Sequence, residues 1–180
     1  MNLKFTLKGK ALKRTKSTFM IRGMLDSDSN RVLDIYKMGI ETRNATFEIN
    51  LPTWEEWDFK HLEHSRFVYI DNNKVIGWVA LSQVSSRPVY KGLAEVSVYI
   101  DLNYAKKGIG SELMNQVIKS SEENGIWTLQ SSVFPENKAT LALHSKFGFR
   151  ILGEREKVAS LDGIWRNTII LERRSKVVGV

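Results

Sequence analysis

The residues from 95 to 114 combine a carboxylate, a basic glycine-containing loop and the start of a helix. Glu95 opens a segment of alternating apolar and polar residues, and the loop follows as Lys106, Lys107, Gly108, Ile109, Gly110 and Ser111. The first amides of a helix lack intrahelical acceptors, and the helix dipole adds partial positive charge there. Such a loop suits a phosphate or pyrophosphate group. We therefore predict an enzyme that uses a phosphorylated cofactor, with Glu95 as a proton acceptor nearby.

The composition is typical of one ordinary globular domain. The chain has 180 residues, of which 42% are hydrophobic and 26% charged, and this is enough for a substantial core. It has no cysteine, which excludes disulfides and thiolate metal sites and fits a reducing compartment such as the cytoplasm. No apolar run approaches the length of a membrane span, so we expect no membrane partner. His61 and His64 flank Glu63, but no third ligand is in view, and we expect no metal.

The positive charge of the chain is concentrated at its start. Seven of the 27 lysines and arginines lie in the first 25 residues, which contain no Asp or Glu, so the rest is formally neutral. We expect residues 1–18 to form a basic extension and residues 19–180 to form a single domain. Because the extension lacks interleaved aromatic residues and any nucleic-acid-binding motif, we expect a solvated segment without a nucleic-acid partner.

The periodicity of the apolar residues predicts eleven elements in the order β-α-α-β-β-β-α-β-α-β-β. Strand patterns cover residues 19–22, 66–70, 75–84, 94–101, 126–133, 149–158 and 165–172. Helical patterns cover residues 32–40, 53–64, 108–124 and 136–147, and the second helix begins with a capping box at Thr53 and Glu56. This order describes a mixed sheet with helices on both faces.

Several segments carry a resemblance to a known family. The order of elements, the strand, basic loop and helix, and the stretch from Pro135 to Phe149 together resemble the GNAT superfamily of acyl-CoA-dependent N-acetyltransferases. Three further segments resemble one branch of this superfamily, the phosphinothricin N-acetyltransferases. They are Ala45-Thr46-Phe47-Glu48, Arg87-Pro88-Val89-Tyr90 and Asp162-Gly163-Ile164-Trp165-Arg166-Asn167. The resemblance covers residues 19–173. It implies an α/β (α+β) fold, with a GNAT-like mixed, mostly antiparallel sheet of about seven strands and helices on both faces.

The resemblance implies an N-acetyltransferase that moves an acetyl group from acetyl-CoA to a small amine by direct attack. The implied substrate is an amino acid or an analogue, of the phosphinothricin or methionine sulfoximine type, and the implied assembly is a homodimer. An alkylamine is mostly protonated at pH 7, so the reaction needs a base, and Glu95 takes this role. The implied cofactor-binding residues are Val96, Ser97, Val98, Lys106, Lys107, Gly108, Ile109, Gly110, Ser111 and Asn137. The predicted substrate-binding residues are Phe47, Arg87, Tyr90 and Trp165.

Two positions depart from the family pattern. Ala105 stands where the superfamily usually has Arg or Gln at the start of the pyrophosphate loop, although two lysines keep the loop basic. Ser85 replaces the first of two arginines that many members of the branch carry, so Arg87 alone is left to hold a substrate carboxylate.

Several alternatives stay open at this point. His144 occupies the place of a tyrosine near the CoA sulfur, and we predict either proton donation to that sulfur or simple packing. Asn137 either contacts the cofactor or caps its helix, and the three aromatic substrate candidates are alternatively core residues. The chain is alternatively an acetyltransferase for a polyamine or a protein N-terminus, or a silent CoA-binding module.

Overall fold

One seven-stranded sheet organises residues 19–180, which are the residues that the computed structural model describes. Its strands are β1 (Phe19–Gly23), β2 (Phe67–Asp71), β3 (Lys74–Gln83), β4 (Leu93–Ile100), β5 (Thr128–Val133), β6 (Arg150–Leu161) and β7 (Ile164–Arg174). The order across the sheet is β1-β2-β3-β4-β5-β7-β6, and every neighbouring pair is antiparallel except β4 and β5. The predicted mixed, mostly antiparallel sheet is confirmed, and the basic extension predicted for residues 1–18 lies outside the described residues.

Helices cover both faces of the sheet, as predicted. They are α1 (Ser29–Glu41), α2 (Trp54–Lys60), α3 (Ile109–Glu123) and α4 (Lys138–Lys146). The capping box of α2 is present: the Thr53 hydroxyl accepts from the Glu56 amide, and the Glu56 carboxylate accepts from the Thr53 amide. The prediction that α2 reaches residue 64 is wrong, because His61 adopts extended backbone angles and forms an isolated bridge with Ser82 of β3.

Two hydrophobic clusters fix the sheet from opposite sides. On one face, α3 contributes Leu113, Met114 and Val117 to the larger cluster. On the other face, Val32 and Ile35 of α1 and Trp57 of α2 pack against β2 and β3. Each fully buried aliphatic side chain contributes about 1.5–3 kcal/mol. Burial on both sides holds the central strands β3, β4 and β5 firmly, and these strands carry the site.

The parallel pair β4 and β5 separates after a short stretch of pairing. The paired residues run from Leu93 with Thr128 to Glu95 with Gln130, whereas β4 stays paired with β3 as far as Ile100. The two strands therefore diverge beyond Glu95. The resulting gap leaves one side of the β4 backbone free of a strand partner in the part of the chain that is described.

Candidate active site

A cleft of about 460 Å³ opens where β4 and β5 separate. Its walls come from β4, the end of β5, the loop after α1 and the helix α4. Seven of the residues predicted for the site line this one cleft, namely Phe47, Glu95, Val96, Ser97, Val98, Asn137 and His144. Residues that lie far apart in the sequence are therefore brought together around the gap in the sheet.

Glu95 lies at the last paired position before the gap opens. Its backbone pairs with Ser82 on one side and Gln130 on the other, and its carboxylate accepts a hydrogen bond from Gln130 Nε2 at 3.3 Å. The side chain is half-buried and lines the cleft. Because a strand rather than a loop carries it, this carboxylate has a fixed position in the cleft wall.

Two tyrosines that the sequence analysis did not single out, Tyr36 and Tyr99, also line the cleft. The rings of Tyr36 and Tyr99 meet edge to face with their centroids 5.0 Å apart. Burial raises the pKa of both phenols, and the nearby carboxylate of Glu48 raises it further, against an opposing hydrogen bond with Thr46. Both phenols are therefore neutral at physiological pH, so they act as hydrogen-bonding groups and not as bases.

The cleft has an acidic lining. Glu48 and Glu95 both line it, and no lysine or arginine does so within residues 19–180. The Glu48 carboxylate also forms an exposed ion pair with Lys60, whose Nζ lies 3.4 Å away but does not line the cleft. The lining as a whole therefore suits the ammonium form of an amine.

The loop before α3 has the properties of an anion site. Gly108 is the N-cap residue of α3 and has φ of 85°, a left-handed conformation that favours glycine. The Gly108 carbonyl accepts from the Ser111 amide at 2.9 Å and the Glu112 amide at 3.3 Å. The amides of residues 106–110 bond no acceptor within the described chain. Several N–H groups are therefore available at the start of a 15-residue helix.

Tight packing connects this loop to the cleft. A Cβ added at Gly110 would lie 3.1 Å from Ile100 Cδ1 and 3.3 Å from Leu143 Cδ2, and Leu143 also lines the cleft. Gly110 therefore permits the close approach of α3 to α4.

The anion loop lies in a basic surrounding. Lys146 Nζ of α4 donates to Ser111 Oγ at 3.0 Å, and Lys107 Nζ lies 4.5 Å from the Tyr104 ring centre. The sequence analysis missed Lys146, because its proximity to the loop depends on how α4 packs. Together with Lys106, these cations supply charge that fits a pyrophosphate.

His144 is almost completely buried in the cleft wall. Its Nδ1–H donates to the Thr140 carbonyl at 2.8 Å, and its ring packs edge to face on Phe149. Burial lowers the pKa of His144, so the neutral imidazole is favoured. The proton lies on Nδ1, and Nε2 has no partner within residues 19–180. In the neutral ring with its proton on Nδ1, Nε2 is a hydrogen-bond acceptor, which disfavours proton donation from Nε2. Proton donation by His144 to the CoA sulfur stays a prediction.

Asn137 caps α4 and joins it to the loop after α1. Its Oδ1 accepts from the Thr140 amide at 3.1 Å, and its Nδ2 donates to the Asn44 carbonyl at 2.9 Å. The capping alternative is therefore confirmed, and cofactor contact by Asn137 stays a prediction.

Three predicted substrate-binding residues lie outside the cleft. Arg87 and Tyr90 are exposed in the segment between β3 and β4, where the guanidinium lies 5.5 Å from the Tyr90 ring centre. Trp165 is 63% exposed on β7. The structure does not bring these side chains to the walls of the cleft, whereas Phe47 is at the wall and meets Phe134 edge to face.

Residues 19–180 contain neither a candidate membrane-spanning helix nor a candidate metal-binding cluster. No helix there has the length and apolar character needed to cross a membrane. No group of three or more His, Cys, Asp or Glu side chains there is arranged to hold a metal ion.

The sequence matches the family model described as "Acetyltransferase (GNAT) family" over residues 32–149. YwnH of Bacillus subtilis, whose name assigns it provisionally to the phosphinothricin acetyltransferases, is 34% identical over 76% of this chain and 86% of its own length. Phosphinothricin N-acetyltransferase of Streptomyces coelicolor is 23% identical over 85% of this chain and 94% of its own.

Solved structures agree in fold. An N-acetyltransferase from Staphylococcus aureus Mu50 has a TM-score of 0.82 and 28% identity, with 88% of this chain and 99% of that chain covered. A GNAT superfamily phosphinothricin acetyltransferase from Sinorhizobium meliloti, in complex with acetyl-CoA, has a TM-score of 0.81 and 22% identity, with 92% and 91% covered. The family match includes β4, the anion loop and every residue that lines the cleft except Thr168, and the chain belongs to the GNAT family of acetyl-CoA-dependent N-acetyltransferases.

Proposed function

We propose that this enzyme acetylates the amino group of an amino acid or a close analogue, of the phosphinothricin or methionine sulfoximine type, with Glu95 as the general base. The observation that carries the proposal is the half-buried Glu95 carboxylate at the opening of the sheet, in a cleft connected to an anion loop. Relatives named for phosphinothricin and for L-methionine sulfoximine or L-methionine sulfone support the substrate class.

In this proposal, the anion loop binds the cofactor and the cleft carries out the acetyl transfer. Free amides of residues 106–110 and the nearby lysines would hold the pyrophosphate of acetyl-CoA, which supplies the acetyl group as an activated thioester. A backbone N–H in the segment from Val96 to Val98, where β4 parts from β5, would polarise the carbonyl under attack. Glu95 then takes the proton from the attacking amine, directly or through a water molecule.

A second candidate substrate is a cationic amine without a carboxylate, such as a polyamine. The acidic lining favours it, since Glu48 and Glu95 attract an ammonium group and repel a carboxylate. An amino-acid substrate would need a cation from outside the cleft walls, and Arg87 is the predicted source.

Kinetics on a panel of amines decide between the two candidates. The panel pairs each amino acid with its decarboxylated counterpart and measures thiol release from acetyl-CoA. We expect the acids to react more efficiently, and Arg87→Ala to raise KM for the acids alone. Lys91→Ala, which removes another exposed cation of the same segment, is the matched control. It should change KM neither for the amino acids nor for their decarboxylated counterparts. Equal efficiency with and without the carboxylate would support the polyamine candidate instead.

We propose that residues 19–180 act as one catalytic domain, in the cytoplasm and as a homodimer. Exposed apolar side chains on the β6–β7 pair support a subunit contact there, since Ile151, Ile164 and Trp165 are each more than 60% exposed.

A further inference from the structure

The hydroxyl of Thr168 is a buried polar group without a partner. Thr168 lies on β7 and lines the cleft, with 3% of the residue exposed. Its Oγ1 makes no hydrogen bond with any other group in residues 19–180. Buried hydroxyl groups are almost always hydrogen-bonded, because an unpaired one costs free energy. A ligand that enters the cleft is the natural source of the missing partner.

The register of the sheet places this hydroxyl on the same face as the base. Glu95 pairs with Gln130, and across β5 and β7 Gln130 pairs with Glu172 and Ser132 with Ile170. Side chains two residues apart on a strand share a face, so Thr168 shares the face of Ile170 and therefore of Glu95. The hydroxyl thus belongs to the side of the sheet that the loop after α1 covers, opposite the face of α3 and α4.

We propose that Thr168 is a specificity-determining residue that donates a hydrogen bond to a neutral oxygen acceptor of the amine substrate. Rotation about χ1 moves the hydroxyl from one staggered position to another, and it breaks no hydrogen bond because the hydroxyl makes none. The proposal rests on the amino-acid function and narrows its substrate class.

The charges of the cleft indicate a neutral rather than an anionic partner for Thr168. Glu48 and Glu95 line the same cleft, so an additional anion there would be repelled. Phe47 and Phe134 form an aromatic wall that accommodates an apolar chain. An amine that carries a sulfone or sulfoximine oxygen on a short apolar chain combines the required features.

The experiment compares L-methionine sulfone with L-methionine, which lacks the acceptor oxygens. We expect the wild type to favour the sulfone in kcat/KM. Thr168→Val, which keeps the shape and removes the hydroxyl, should lower kcat/KM for the sulfone about five- to tenfold and leave that for methionine unchanged. Thr168→Ser keeps the hydroxyl and should retain the preference. Because the hydroxyl is unpaired in the free protein, Thr168→Val should keep or raise the melting temperature.

Each contrary result has a distinct meaning. An unchanged preference in Thr168→Val overturns the assignment of Thr168 while the amino-acid function stands. Equal losses with both substrates, together with a lower melting temperature, show that the hydroxyl has a structural role and also overturn the assignment. Failure of the wild type to acetylate either amino acid refutes the proposed function, and the role of Thr168 with it.

Discussion

Replacing Glu95 with glutamine removes the basic carboxylate while keeping the shape of the side chain. Its present hydrogen bond comes from the Gln130 amide, and a glutamine oxygen can accept the same bond. The two main core clusters do not include this side chain. We therefore expect Glu95→Gln to fold normally and to bind acetyl-CoA as the wild type does, so that any loss reports on proton transfer.

The size of the loss follows from the chemistry of the amine. A positioned general base contributes about 10²–10⁴-fold, so we expect a loss in kcat of this order at pH 7. Without the base, only the free amine reacts, and well below the pKa of the amine its fraction rises about tenfold for each pH unit. The ratio of wild-type to variant activity should therefore shrink as the pH rises from 7, by about tenfold per pH unit until the pH approaches the pKa of the amine.

The assay is thiol release at saturating acetyl-CoA across this pH range. Glu48→Gln is the matched control, since it removes the other carboxylate that lines the cleft and should raise KM more than it lowers kcat. A constant ratio of activities from pH 7 to pH 9 would refute the role of Glu95 as base. An equal loss of kcat in both variants would mean that the charge of the cleft matters, and not the position of one base.

Two further predictions concern the cofactor and the pH dependence of stability. Acetyl-CoA at 100 times its Kd should stabilise the wild type by about 2.7 kcal/mol. Gly108→Asp places a carboxylate at the anion loop and should abolish most of this stabilisation. Gly108→Asn is equally suited to φ of 85° but uncharged, so it should keep most of the stabilisation. Equal thermal shifts in both variants would contradict the assignment. Burial lowers the pKa of His61 to about 4 from 6.5, so stability should fall as pH drops through this interval, by at most about 3 kcal/mol from this group. Urea denaturation should show a smaller decrease in His61→Phe, and an identical decrease would exclude His61 as the cause.

Local patterns in the sequence were sufficient to predict the elements of the fold. The turns at residues 72–73 and 162–163 have the asparagine, aspartate and glycine residues that positive φ angles require, and all four residues have positive φ. The seven strands and four helices appear in the predicted order. The predicted end of α2 was wrong because a tertiary contact, the bridge from His61 to Ser82, overrides the helical pattern.

The two ends of the site differ in how far the sequence predicts them. The anion loop is a local structure, in which consecutive amides and Gly108 at the start of a helix create the binding groups. The substrate side is not local, since Tyr36, Glu95 and Thr168 meet only after the sheet has formed. Neither the alternation along β7 nor its composition shows that Thr168 is unpaired, because that depends on all the elements packed around it.

The divergence of β4 and β5 explains why Glu95 lies at the opening of the cleft. A parallel pair that continued past Gln130 would use the β4 backbone groups for sheet hydrogen bonds and would close the cleft. Since the pairing ends at Glu95, the same strand offers a fixed carboxylate at this residue and an edge without a strand partner beyond it. Its other edge remains paired with β3 as far as Ile100, so the exposed edge stays rigid. The interruption of one strand pair thus opens the cleft and fixes the position of the Glu95 carboxylate that lines it.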